Sequence, residues 1–127
     1  MPNWGAVGAA LAAAAVLIGA FGAHALKERL DAYATQIYER AVFYHFVHAL
    51  GLIGVGLAIG AHVVGGPAID AAGWLLLAGI AIFSGSLYAL ALSGIKVLGA
   101  ITPLGGLAFV AGWCALAWSF ATGVASR

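Results

Sequence analysis

The chain has 127 residues, of which 65% are hydrophobic and 7% are charged, and its formal net charge is +1. Soluble domains carry about 25% charged residues, so this composition excludes a globular domain surrounded by water. The small net charge excludes a nucleic-acid-binding protein, which needs a concentrated basic face. Because about 20 apolar residues cross the hydrocarbon core of a bilayer, we expect an all-α membrane protein in which residues 1–127 form one four-helix transmembrane bundle.

The first predicted transmembrane helix covers about residues 4–26 and consists mostly of Ala and Gly. A signal peptide is the alternative, since Ala23-His24-Ala25 resembles a cleavage site. The absence of Lys or Arg before the apolar run, and the length of that run, favour a retained helix. Small residues let helices approach each other closely in lipid, so we expect this helix to pack inside the bundle.

The polar connector over residues 27–40 is predicted to be an amphipathic helix. Its apolar residues recur at helical spacing, which places them on one face, and its charged residues occupy the opposite face. The pattern fits a helix lying in the membrane interface, or one that extends the second transmembrane helix outward. The apolar face consists of Leu26, Leu30, Tyr33, Ile37 and Ala41.

The rest of the chain contains three further apolar segments, with predicted helices over about residues 41–64, 71–92 and 98–122. Ser84 and Ser86 interrupt the middle of the third helix. Pro103 follows Thr102 in the first turns of the fourth helix, where proline is tolerated. The single cysteine, Cys114, is expected to be a small buried apolar residue.

The orientation in the membrane is predicted from the basic residues of the short connections. Four of them fall on one side of the bundle, and only Arg127 falls on the other. We therefore expect an integral membrane protein with both termini outside and connectors 27–40 and 93–97 in the cytoplasm. The four residues are Lys27, Arg29, Arg40 and Lys96.

A polar cluster in the cytoplasmic half of the bundle is the strongest candidate site. Gln36, Arg40, Tyr44 and His48 are four residues apart and form a slowly turning stripe. If the hydrocarbon begins near Val42, His48 lies about 9 Å deeper. Ionisable groups at this depth usually face the bundle or a watery cavity. The whole candidate cluster comprises His24, Arg40, Tyr44, His45, His48, Ser84, Ser86 and Thr102.

Three interpretations of this cluster remain open. The polar side chains can serve as hydrogen bonds between helices, they can line a path for a solute or proton, or they can bind a metal. A zinc site would combine His24, His45 and His48 with Glu28, but no H-E-x-x-H or C-x-x-C motif supports it. No nucleotide-binding motif and no base positioned to activate a serine is recognisable, so we expect no catalytic residues, no cofactor and no metal.

Four ordered motifs resemble the DUF423 family of small bacterial membrane proteins, which is related to the eukaryotic transmembrane protein 256. The resemblance extends over nearly the whole chain. It implies an integral membrane protein with about four helices, and it implies no function, catalytic residue or ligand. The motifs lie at residues 19–26, 44–50, 83–88 and 99–106.

The sequence therefore predicts a small non-enzymatic membrane protein that acts through membrane lipids, a second copy of itself or another membrane protein. The alternative is a small oligomeric transporter or channel that uses the polar cluster. That alternative predicts a water-accessible cavity between the helices, lined by His48.

Overall fold

The computed structural model describes residues 1–123, and this part of the chain is helical and contains no strand. The third crossing joins α3, a π-helical segment and α4 into one continuous span, and a 3-10 turn leads into α5. Four spans are long and apolar enough to cross a membrane, which confirms the predicted all-α transmembrane bundle. The elements are α1 (Trp4–His24), α2 (Ala32–Gly60), α3 (Pro67–Gly79), the π segment (Ile80–Ser84), α4 (Gly85–Ser93), the 3-10 turn (Lys96–Ala100) and α5 (Thr102–Gly123).

The connector between the first two crossings divides at Asp31. Residues 25–31 form turns, and the Asp31 carboxylate accepts a hydrogen bond of 2.8 Å from the backbone N–H of Ala34, which caps the start of α2. The 29 residues of α2 span about 44 Å at 1.5 Å per residue, which exceeds a hydrocarbon core of about 30 Å. The second half of the connector is therefore the outward extension of α2.

The second helix is shorter at its far end than predicted, and the third is longer. The helix ends at Gly60 and not near residue 64, because His62 takes a left-handed conformation with φ of 57°. Gly66, with φ of 96°, then leads directly into α3 at Pro67. Proline suits this first helical position, since the N–H that it lacks would have no partner there.

Helix α1 lies at the periphery of the bundle, so its predicted interior position is wrong. Only Trp4, Gly8 and Ala15 of this helix are buried. Gly8 allows close contact with α2, because a Cβ there would lie 2.6 Å from the Ala49 carbonyl oxygen. The small residues of α1 thus pack closely against α2 along one face and leave the rest of the helix facing outward.

The buried apolar residues form two clusters at opposite ends of the bundle. The cluster nearer the N-terminus includes Trp4, Leu52 and Leu76. The cluster beside the connector includes Tyr38 and Leu87. The polar residues buried in the bundle fall mainly between these clusters along α2 and the third span, namely His45, His48, Ser84 and Ser86.

The outer surface of the bundle exposes many large apolar side chains. Leu17, Leu57 and Leu107 are each about two-thirds exposed, as expected of side chains that contact lipid. Cys114 is also exposed, so its predicted burial is wrong. In a bilayer, both the lipid-facing surface and the core accept an apolar residue. Arg127, which entered the orientation count, lies outside the described residues.

Candidate functional site

The π segment positions the polar residues of the third span. In a π helix each backbone hydrogen bond joins two residues that are five apart, and such segments are frequent at functional sites. Ser84 closes the segment, is fully buried and donates a hydrogen bond of 2.8 Å to the backbone carbonyl of Ala41 on α2. The serine hydroxyl therefore joins α2 to the third span.

Gly105 on α5 allows close contact with the π segment from the other side. A Cβ on Gly105 would lie 2.7 Å from the Cα of Phe83, closer than van der Waals contact permits. The Phe83 side chain in turn packs against Phe109, with ring centroids 5.4 Å apart. The absence of a side chain at Gly105 thus brings α5 against the polar centre of the bundle.

His45 is buried between three helices. Its Nδ1 forms a hydrogen bond of 2.8 Å with the Tyr88 hydroxyl on α4. Its Nε2 is buried and has no hydrogen-bond partner within residues 1–123. His45 therefore connects α2 to α4 through one hydrogen bond.

His48 lies in a stack of aromatic rings. Its Nδ1 donates a hydrogen bond of 2.6 Å to the Tyr44 carbonyl one turn earlier. The ring lies almost parallel to Phe109 on α5, with centroids 3.5 Å apart, and 5.6 Å from Trp113. The Tyr44 ring is also nearly parallel to His48, with centroids 5.8 Å apart, and it lies 6.2 Å from Phe109. His48 is thus packed against aromatic rings, and it lines neither the groove between α1 and α2 nor the pocket beside Trp4.

Ser86 and Thr102 form a separate polar contact between α4 and α5. Their hydroxyl oxygens are 2.6 Å apart. Ser86 also donates to the Phe83 carbonyl at 3.0 Å, which orients its side chain. Because Thr102 is the first residue of α5, this hydrogen bond fixes the start of the fourth helix against the third span.

The predicted stripe on α2 does not stay on the buried face. Arg40 is exposed and Tyr44 is partly exposed, whereas His48 is buried. Residues four apart advance 40° around a helix with 3.6 residues per turn, so the stripe winds from the surface into the core. His24 is also exposed at the end of α1. Neither His24 nor Arg40 joins the buried polar residues.

The histidines considered as a zinc site do not converge. In the described part of the chain, no three His, Cys, Asp or Glu side chains are close enough to hold a metal ion. His45 and His48 both use Nδ1 for a hydrogen bond to another group. A metal ligand needs a free lone pair directed at the ion, and these rings point to different neighbours.

Two further polar contacts were not predicted from the sequence. Tyr38 donates a hydrogen bond of 2.5 Å to the Ile18 carbonyl of α1. Trp4, almost completely buried, donates from its indole nitrogen to the Asp70 carboxylate at 3.2 Å. A spacing signal exists only for Tyr38, which precedes His45 by seven residues and so shares its helix face. The Trp4–Asp70 pair joins distant parts of the chain, and no local pattern indicates it.

An apolar groove of about 820 Å³ lies between α1 and α2. Its α1 wall consists mainly of small side chains, and its α2 wall carries larger ones such as Phe43 and Phe46. Polar side chains, among them Lys27 and Glu39, occupy the end beside the connector. None of the residues of the predicted polar cluster lines this groove. The main lining residues are Ala15, Val16, Gly19, Ala20, Gly22, Ala23, Lys27, Leu30, Thr35, Tyr38, Glu39, Val42, Phe43, Phe46 and Val47.

The chain is similar to bacterial membrane proteins over most of its length. It is 47% identical over 107 residues to the UPF0382 membrane protein YwdK of Bacillus subtilis, covering 84% of this chain and 86% of that protein. It is 46% identical over 110 residues to a UPF0382 membrane protein of Staphylococcus saprophyticus, covering 87% and 89%. A UPF0382 membrane protein of Staphylococcus haemolyticus is 50% identical over 98 residues, covering 77% and 78%. No solved structure matches the chain.

The family assignment agrees with the resemblance read from the four motifs. The profile of DUF423, described as a protein of unknown function, matches residues 18–106. This range includes the connector, the second and third crossings and the start of α5. The description of the family states no activity, and the relatives are named only as membrane proteins. The chain is a multi-pass membrane protein and belongs to the DUF423 family.

Proposed function

We propose that this protein is a non-enzymatic component of the bacterial cytoplasmic membrane that holds a lipid acyl chain in the groove between α1 and α2. One observation carries the proposal. The groove between α1 and α2 is apolar, while the buried polar side chains make hydrogen bonds between or within helices away from that groove. An apolar opening at the surface of a membrane protein faces acyl chains, which are its natural occupants.

The buried polar residues are better explained as contacts between helices than as catalytic groups. The Ser84 hydroxyl donates to a backbone carbonyl, and His45 pairs with a tyrosine on another helix. A serine nucleophile needs a base within hydrogen-bond reach and a group that orients this base. The observed hydrogen bonds direct Ser84 and His45 to other partners.

The transport alternative has no comparable support. A path for a solute needs a lining of polar groups or water between the helices. His48 is buried against Phe109 and Tyr44, and the groove residues within 1–123 include none of the predicted polar cluster.

The outward face of α1 is the surface on which a second copy or another membrane protein would pack, since only the inner residues of this helix are buried in the bundle.

The proposed orientation places the connector end of the bundle in the cytoplasm and the N-terminus outside. The exposed Lys27, Arg29, Arg40 and Lys96 support it, because basic residues in short loops are retained on the cytoplasmic side. A reporter enzyme active only outside the membrane, fused after the last residue, should be active. Activity of the complementary cytoplasmic reporter at the same position would contradict the orientation.

The groove proposal is tested by lipid retention. The protein is purified in mild detergent, and bound phospholipid is counted by native mass spectrometry. Ala20→Trp places an indole in the groove from an exposed position on α1, whereas Ala13→Trp adds the same group on an exposed position outside the groove. We expect Ala20→Trp to remove bound lipid and Ala13→Trp to retain it. Equal retention by both variants would exclude the groove as the binding site.

A further inference from the structure

The groove has two chemically different ends, and this difference restricts the lipid that fits it. We infer that the α1–α2 groove selects phospholipids whose headgroup carries a phosphate and a primary amine. The inference rests on the proposed lipid binding and adds the headgroup class. It follows from the length of the groove, the construction of its wall and the charges at its polar end.

The length of the groove corresponds to one leaflet of the bilayer. Its α1 wall extends from Ala15 to Ala23, which is about 12 Å along the helix axis at 1.5 Å per residue. Half of a hydrocarbon core of about 30 Å is about 15 Å. The groove therefore fits an acyl chain that enters from the connector side.

The wall of the groove is stabilised by a direct contact between α1 and α2. Gly22 leaves room for the Tyr38 ring, which a Cβ at that position would overlap. The Tyr38 hydroxyl then donates to the Ile18 carbonyl, so α1 and α2 are joined at this point. Because the hydroxyl is occupied, Tyr38 presents mainly its ring to the groove. The apolar part of the groove thus offers shape and no polar partner to the chain.

The polar end of the groove carries one positive and one negative side chain. Lys27 and Glu39 are both exposed, and within residues 1–123 neither forms an ion pair. Thr35 lies on the same wall and adds a hydroxyl group. A lipid phosphate complements the Lys27 ammonium group, and a primary ammonium group can donate hydrogen bonds to the Glu39 carboxylate.

Other common headgroups complement this end less well. A headgroup with only a phosphate would be attracted by Lys27 and repelled by Glu39. A quaternary ammonium group has no N–H to donate and is recognised by cages of aromatic rings. Tyr38 is the one aromatic residue that lines the connector end of the groove in the described part of the chain. The charge pattern therefore favours ethanolamine over both glycerol and choline headgroups.

The experiment compares three phospholipids with identical acyl chains. The full chain is placed in detergent with equal amounts of phosphatidylethanolamine, phosphatidylglycerol and phosphatidylcholine, and each bound species is quantified by native mass spectrometry. We expect the ethanolamine lipid to exceed each of the others about three- to fivefold, which is the size of one exposed ion pair. Glu39→Gln should abolish this preference, whereas Glu28→Gln removes the same charge from an exposed position outside the groove and should preserve it.

The outcomes distinguish the headgroup inference from the groove proposal. Equal binding of the three lipids, with loss of all of them in Ala20→Trp, would overturn the headgroup preference and leave acyl-chain binding in the groove intact. Loss of the preference in Glu28→Gln as well would overturn the role of Glu39. No bound lipid in the unmodified protein, with its helical fold verified by circular dichroism, would overturn the proposed function and the inference together.

Discussion

Gly105→Ala should destabilise the protein, although Ala is the better helix former. The added Cβ would lie 2.7 Å from the Cα and from the Cβ of Phe83. These atoms belong to the backbone of the π segment or are attached directly to it, so a change of side-chain rotamer cannot remove the overlap. Either α5 or the π segment must move. Such a movement would weaken the hydrogen bond between Ser84 and the Ala41 carbonyl, which is 2.8 Å long.

The neighbouring glycine provides a matched control for this substitution. A Cβ on Gly106 would lie 3.9 Å from the nearest atom of the Phe83 ring, which is ordinary contact. Both substitutions gain up to about 1 kcal/mol from helix propensity, and only Gly105→Ala adds an overpacking cost of about 1–3 kcal/mol. We therefore expect Gly105→Ala to lower the free energy of unfolding by up to about 2 kcal/mol and Gly106→Ala to leave it unchanged or raise it.

The assay is reversible unfolding in mixed detergent micelles, followed by circular dichroism. The comparison of adjacent residues removes differences in membrane depth and in helix position. If Gly105→Ala were as stable as Gly106→Ala, the close packing of α5 on the π segment would not contribute to stability as the distances indicate. A larger loss in Gly106→Ala would contradict the assignment of the two glycine faces.

Further substitutions test three individual hydrogen bonds. Tyr38→Phe should lower the free energy of unfolding by about 0.5–1.5 kcal/mol, because the hydrogen bond to α1 is lost and the ring remains. An unchanged free energy of unfolding would show that this hydrogen bond does not stabilise the protein. For Ser86 and Thr102, a double-mutant cycle with alanines should give a coupling of about 0.6 kcal/mol, typical of hydrogen bonds between membrane helices, and additive losses would contradict direct contact. Trp4→Phe should destabilise by about 1 kcal/mol. Asp70→Asn, which keeps an acceptor, should cost less than Trp4→Phe, and a larger loss in Asp70→Asn would indicate that the carboxylate charge contributes more than this hydrogen bond.

The four crossings can be predicted from the sequence because the hydrocarbon offers the backbone no water as a hydrogen-bond partner. Backbone groups in the hydrocarbon must bond within a helix, so each long apolar run must form one. The start of α2 can also be recognised in the sequence, because the connector has helical periodicity and Asp31 is a suitable N-cap residue. These features are local, and local patterns determine them.

The arrangement of the helices follows much less directly. Residues that face lipid and residues that face the core are both apolar, so composition does not separate the exposed Cys114 from the buried Leu116. The Ala- and Gly-rich sequence of α1 permits close packing without requiring it on every face. The hydrogen bond from Tyr38 to α1 was not predicted for a related reason. Charge is visible in a sequence, whereas the partner of a tyrosine hydroxyl on another helix is not.

The length of α1 has a consequence for the membrane itself. Its 21 residues extend about 32 Å, which leaves little reserve over a hydrocarbon core of about 30 Å. A helix whose length matches the hydrocarbon thickness so closely must stay nearly perpendicular to the membrane plane, and a thicker bilayer would have to thin around it. The longer α2 has no such constraint and can tilt. A change in bilayer thickness would therefore act unequally on the two helices and alter the angle between them, which makes the width of the groove dependent on the surrounding membrane.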